Sequence, residues 1–490
     1  MPQKTLPSKV IIVGAGASGL FAARQLEILA KQMDQEIEIV ILERENHVGG
    51  KCYTYADVNI PDLKTEWGAA LVAPNYGPVL DGMKEHNLKF EKVVPTNRKT
   101  LEISEILHHL PYREKIAAEM ALGSEVKSFV RDYETYKDAV QNEKNVPQEL
   151  KRPFYEYAQQ RGMKYLPKLL KPFVPGFGYG ALSRCPAYSV LEYMGKTTLI
   201  DIMLAESVLG QPSLLSIQGG FQLLMEKIAA SLDVRLQAEI TQIKREDNKV
   251  TVTYENNGST FMEEGDALIL ATSPLHWPKL GMDLTELEQE CVNSLEYYQY
   301  PVAVCKIKGL PPQQHFFPNA LEEDQFGKIA LITTRDNRDE PEGGRLCTLY
   351  VNLPPGNQEF KFDYEQIKKD ILTIEGVTDI EFLEEKIWPD YMSTLPWELR
   401  LQLNAAQQDK DNITYFAGSY VLGGFEDVAS VAGRAVNLVN KTWGQKTYEE
   451  DFSMKNVKRA WGFFTQPVYP AVDSEGSQHT PEPRSCCVIV

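Results

Sequence analysis

The segment Gly14-Ala-Gly-Ala-Ser-Gly19 restricts this chain to few local folds. It follows the apolar run Lys9–Val13 and opens an Ala/Leu-rich stretch that reads as a helix to about Lys31. In such a loop the first glycine permits the tight turn and the second lets backbone approach a pyrophosphate. The third lets helix and strand pack closely. The helix then points free N–H groups and its positive end at the phosphates. A second apolar run, Ile37–Leu42, ends on Glu43, placed to accept hydrogen bonds from a ribose. The pattern predicts a βαβ unit that holds a dinucleotide through Gly14, Gly16, Ala17, Ser18, Gly19 and Glu43.

A chain of 490 residues is too long for one ordinary core. Further strand and helix signals at 214–275 and 411–445 return to the nucleotide half after long insertions. The expected fold is α/β, a Rossmann-like domain of residues 1–69, 211–275 and 411–445. It is interleaved with an α+β substrate domain of 70–210 and 276–410. From about Gln466 the chain turns Pro-, Ser- and Glu-rich, so 466–490 reads as a flexible tail. The net charge of −17 excludes a nucleic-acid partner, which needs a concentrated basic surface. An anionic substrate would therefore need a local cation to capture it.

Beyond Glu43 comes Arg44-Glu-Asn-His-Val-Gly-Gly50-Lys51, which resembles the segment after the ribose acid in the flavin amine-oxidase-like superfamily. Gly219-Gly-Phe221 resembles that superfamily's second FAD segment, with adenine-side contacts near Val234 or Ile240. Phe416-Ala-Gly-Ser419 and Gly423-Gly-Phe-Glu-Asp427 resemble its C-terminal flavin segment. The resemblance implies an amine-oxidase-like architecture and FAD. Arg44, Gly50 and Lys51 would lie along the cofactor, Lys51 on the pyrophosphate side. Gly68 and Ala69 of Glu66-Trp-Gly-Ala69 would lie against the ring, near Gly418, Ser419, Phe425, Glu426 and Asp427. No cysteine stands between Cys347 and Cys486, so the FAD is expected to be non-covalent.

Amine oxidases of the superfamily usually place a lysine near flavin N5. The matching stretch here, Gln299 to Pro301, has none, and Phe425 stands where a cage tyrosine is usual. The segments around Lys51-Cys52, Pro172-Phe173, Phe177-Gly-Tyr-Gly180 and Tyr188 are similar to the bacterial polyenoic fatty acid isomerases. That resemblance implies hydride transfer from and back to an apolar, lipid-like substrate. Phe177, Tyr179 and Tyr188 would wall its tunnel, and Arg98 or Lys99 would hold its carboxylate. The family's arginine pair is not reproduced here, since a lysine occupies position 99. An amine oxidase releasing peroxide, and a membrane-anchored flavoprotein without chemistry, remain the alternatives. His108, His109, His276 and His315 lack partners at ligand spacing and read as surface or cap residues.

Seven scattered cysteines form no metal-spaced cluster, which reads as a reducing cytoplasm and no metal. No stretch is long and apolar enough to span a bilayer, and none near the start reads as a signal peptide. The final Cys487-Val-Ile-Val490 has the form of a prenylation motif. A lipid there, with a second on Cys486, would anchor the protein to a cytoplasmic membrane face.

Overall fold

The computed structural model describes residues 5–73, 76–97, 101–195, 214–246, 248–409 and 412–444, and the backbone of 468–469. Arg98, Lys99, Cys486 and Cys487 lie outside the described residues, so the carboxylate and lipidation expectations stay untouched.

A five-stranded parallel sheet orders its strands Thr414–Phe416, Ala267–Leu270, Lys9–Val13, Glu38–Leu42 and Asp233–Arg235. Its central strands are near-continuous apolar runs because both faces are covered. Val10 to Ile12 and Leu268 to Leu270 are wholly buried. The helix Ala17–Met33 packs on one face beside Val428–Thr442, burying Leu20, Phe21 and Leu26 against Ala432, Ala435 and Val436. The strands come from stretches hundreds of residues apart, yet their carboxyl ends all point one way. At those ends lie Gly14, Glu43, Ala271 and Ala417, the crevice where parallel α/β sheets bind ligands.

A second, antiparallel sheet runs His315–Phe316, Ile329–Thr333, Arg345–Val351, Glu296–Lys308 and Asp379–Thr394. Its two longest strands pair along their whole length, Tyr300 opposite Trp388. A helical layer, built on the long helix Tyr112–Gln141, keeps its own core around Phe129, Phe154 and Leu166. The tail expectation needs one correction: Val468–Tyr469 form a short strand parallel to Phe90–Glu91. The strand Phe90–Lys92 has an open edge on that side, and edge N–H and C=O groups recruit any extended segment within reach. No helix among the described residues is long and apolar enough to cross a membrane.

Candidate functional site

One cavity of about 560 Å³ runs from the carboxyl ends of the parallel strands to the antiparallel sheet. At its first end Gly14, at φ 101°, turns the chain so that its N–H donates to Leu42 O at 2.8 Å. Gly16, Ala17 and Ser18 then bring the helix N-terminus to the cavity wall. Gly16 bridges Gly49, and a side chain on Gly50 would sit 3.2 Å from Gly16 Cα. Gly19 does not reach the cavity. It stands behind the wall, where an added Cβ would strike the Gly14 carbonyl oxygen, so its role is helix–strand packing.

Glu43 lies at the same end with both oxygens engaged by backbone. Ala15 N donates to one at 2.7 Å and Glu45 N to the other at 2.9 Å. Burial raises its pKa, more than those two bonds lower it. Each oxygen keeps a lone pair for a ligand hydroxyl. Arg44 lines the rim but pairs with Glu45 in solvent, and Lys386 faces the ring of Trp388 at 4.2 Å. Ile240, expected near an adenine, is buried in a different cluster beneath the three-stranded sheet and lines no part of the cavity.

The middle of the cavity is polar. Lys51 Nζ donates to Glu426 Oε1 at 2.7 Å and to Asp390 O at 2.6 Å, so its charge is held by protein rather than left for a pyrophosphate. His276, read as partnerless from sequence, lies here with Nε2 3.3 Å from Asp390 Oδ2. That reading failed because the two residues are brought together only by packing of distant segments. Burial works to raise the Asp390 pKa, but Lys51 and His276 outweigh it and hold the carboxyl below its usual range. Thr272 Oγ1 and His276 Nδ1 are buried in the wall with no hydrogen-bond partner among the described residues. Gly68 and Ala69 line the opposite side, Ala69 N donating to Lys51 O at 3.1 Å. A Cβ on Gly68 would collide with that same carbonyl.

Gly418, Ser419, Glu426 and Asp427 complete this wall. Asp427 caps the helix Val428–Thr442, its side chain accepting from Ser430 N at 3.0 Å, so the helix's positive end faces the cavity.

The far end is aromatic. Tyr179 packs against Tyr193 and Phe425 with ring centroids 4.7 and 4.9 Å apart, and Tyr193 stacks on Phe425 at 4.8 Å. Phe425 backs these rings and does not itself line the cavity. Phe177 lines it, and Tyr300 closes the floor, its hydroxyl donating to Gly176 O at 2.9 Å. Gly178, at φ 79°, is needed there because any Cβ would meet the Tyr300 ring. Burial holds the phenol pKa values of Tyr179, Tyr300 and Tyr391 far above the ordinary value, so all stay neutral. Tyr188, expected in the tunnel wall, is instead core. Its hydroxyl donates to Leu395 O and its ring packs edge-on to Trp397.

Sequence reasoning missed Thr272, Tyr76, Tyr133, Lys386, Trp388, Asp390 and Tyr391 in this wall. The last four sit together on the strand Asp379–Thr394, where the run of large and charged side chains near its end was an unused signal. Among the described residues no cluster has the composition of a metal site.

Glycine loop, buried acid, polar waist and aromatic chamber define an α/β protein whose long cavity runs from a parallel sheet to an antiparallel one. The model for flavin containing amine oxidoreductases matches residues 17–375, and the chain belongs to that family. A fatty acid isomerase from P. acnes, described as CLA-producing, is similar in structure. Its TM-score is 0.68 at 22% identity, over 89% of this chain and 98% of that one. An uncharacterized protein of Acanthamoeba polyphaga mimivirus is 24% identical over 333 residues, 61% of this chain and 65% of that protein. Flavin-containing amine oxidase B of Cavia porcellus is 32% identical over 101 residues, 21% of this chain and 16% of that protein. The chain thus spans less than two thirds of either relative.

The family implies a flavin, and the residues present fit one. Gly50, at φ 55°, favours glycine, and a Cβ there would crowd Gly16 Cα at 3.2 Å, which keeps this part of the wall open for a pyrophosphate. Glu43 retains acceptor capacity, and Thr272 Oγ1 and His276 Nδ1 lack partners among the described residues. A long cavity, polar then aromatic, suits a dinucleotide whose ring lies in the chamber.

Proposed function

We propose that the protein is an oxidoreductase with non-covalent FAD that acts on an unsaturated, lipid-like substrate, isomerising its double bonds without net oxidation. The observation that carries this reading is Tyr300. The stretch where an amine oxidase would carry its lysine presents to the cavity a tyrosine, neutral and tied to the Gly176 carbonyl. Bound FAD supplies hydride acceptance and return. The chain's own groups would hold the ring and exclude water. Phe177, Tyr179, Tyr193 and Tyr391 offer flat apolar faces to a chain of double bonds. Two acids of the chamber are committed elsewhere, Glu192 to Arg434 and Asp427 to its helix cap. The similarity to a fatty acid isomerase supports the reading at the level of fold.

Amine oxidation is the second reading, favoured by the rings of Tyr179, Tyr193 and Tyr391 along the cavity, since aromatic faces also hold cations. Incubating the purified yellow protein with linoleate, with and without oxygen, separates the two. Conjugated-diene absorbance without peroxide supports isomerisation. No diene from linoleate, with flavin bleaching and peroxide from amines, would move the assignment to an oxidase.

A further inference from the structure

Arg400 is 2% exposed and has no carboxylate in ion-pair range among the described residues. Among the described residues, Arg335 sits between Glu66 and Glu91, and Arg345, which also donates to backbone carbonyls, has the Asp336 carboxylate it shares with Arg338 3.9 Å away. Arg400 instead spends its donors on neutral acceptors. Nε reaches Leu395 O at 3.0 Å, and Nη2 reaches Thr394 Oγ1 at 2.6 Å. Nη1 reaches Gly424 O at 2.8 Å and Val421 O at 3.3 Å. Its remaining face lies 5.5 Å from the Tyr188 ring centroid. An uncompensated buried cation is costly, and a fold does not need one to fill this space.

Its place in the fold suggests what it is for. Val421 and Gly424 belong to the loop between Gly418–Tyr420 and Glu426–Val431, and both of those segments line the cavity. Arg400 draws the two loop carbonyls away from the cavity, toward itself. The positive end of the helix Val428–Thr442 faces the cavity beside them. The wall thus carries positive potential from two sources, helix and guanidinium, in a poorly screened interior.

We propose that Arg400 is a positioning residue that sets the electron affinity of the flavin. Through the 421–424 loop it favours the reduced, singly negative ring, which has taken up two electrons and one proton, over the neutral oxidised ring. This rests on FAD occupying the cavity.

The test uses the full-length flavoprotein, with Arg400→Met to remove the charge and Arg400→Lys to keep it without the planar fork. Flavin content is measured first. The two-electron midpoint potential is then measured against pH by dye equilibration. Wild type should show the proton stoichiometry of an anionic reduced flavin at neutral pH, with the ring's protonation displaced below that of free reduced FAD in the same buffer. Arg400→Met should lose at least about tenfold in preference for the reduced flavin, a drop of ~30 mV for a two-electron couple. Arg400→Lys should lose less than a third of that shift. Equal potentials in all three proteins, with only flavin content changed, would mean a purely structural arginine. A wild-type reduced flavin that is neutral at pH 7 overturns the proposal even if neither variant folds. A colourless wild type that cannot be reconstituted with FAD sinks the cofactor reading instead, and this inference with it.

Discussion

Lys51 and Glu426, 375 residues apart in sequence, meet in the cavity wall with Nζ 2.7 Å from Oε1. The pair ties the turn after the ribose acid to the segment that starts the last helix. It thereby couples the two ends of the nucleotide-binding half across the waist of the cavity. Replacing Lys51 by Met leaves a largely buried carboxylate without its cation. We expect a loss of about 1.5–3 kcal/mol in folding stability, the usual range for a hydrogen bond to a charged group. Lys51→Met/Glu426→Gln should recover part of it, because no charge is then stranded. Denaturant midpoints of the three proteins measure this.

Glu43 carries a pH prediction. Its folded pKa is raised, chiefly by burial, so below that value it holds a proton. For the fold without cofactor, the sign follows from the raised carboxyl. The contribution to stability is present at low pH and is lost as pH rises through the folded pKa, because the buried anion is costly. Cofactor affinity should run the other way, falling as acidification removes the charged acceptor. Glu43→Gln should weaken FAD binding about 10- to 100-fold, consistent with the loss of a charged acceptor. It should also flatten the acid limb of the affinity profile. A binding titration in which wild type and variant share one pH profile would refute this.

Gly19→Ala should fold poorly or purify without colour. Its Cβ has no space against the Gly14 carbonyl, and relief would move helix from strand and spoil the phosphate turn. Flavin absorbance per mole of protein is the readout. Gly258→Ala serves as the comparison, since nothing lies within 4 Å of its Cβ, although its φ of 75° costs some stability.

Phe425→Ala should cost about 3–5 kcal/mol, the range for emptying a buried aromatic position. It should also loosen Tyr179 and Tyr193 at the chamber wall. Phe425→Tyr should retain most stability, provided its hydroxyl reaches the cavity. Thermal unfolding with and without added FAD measures both.

Much of the nucleotide end was legible because it depends on near neighbours in sequence. A glycine loop between a strand and a helix, followed by an acid at the next strand's end, is a local device whose geometry follows from backbone sterics. The Asp427 cap needs only the backbone N–H three residues on, yet in the sequence Asp427 reads as a cofactor contact and not as a cap. Gly19, expected among the cofactor-binding residues, packs against the turn and does not face the cavity.

The aromatic end was read less well. Tyr188 and Tyr179 look equivalent on paper, both following glycine-rich or small-residue sequence. Helix placement sends one to Trp397 and the core, the other to the cavity. Ile240 stands in a strand whose alternation was clear, but the pleat turns it toward Tyr254 and the sheet interior.

By itself the sequence determined the parallel-strand unit, its glycine turn and its acid, because each is settled within a few residues by steric and hydrogen-bond rules. Tertiary structure alone decided that Asp390 meets His276, that Lys51 meets Glu426, and that Arg400 lies buried behind the cavity wall with no carboxylate partner among the described residues. Those relationships join segments separated by 100 residues or more, or depend on which charges are left unpaired once the chain has packed. No local rule carries that information; the register of the long strands and the docking of one layer on another create it.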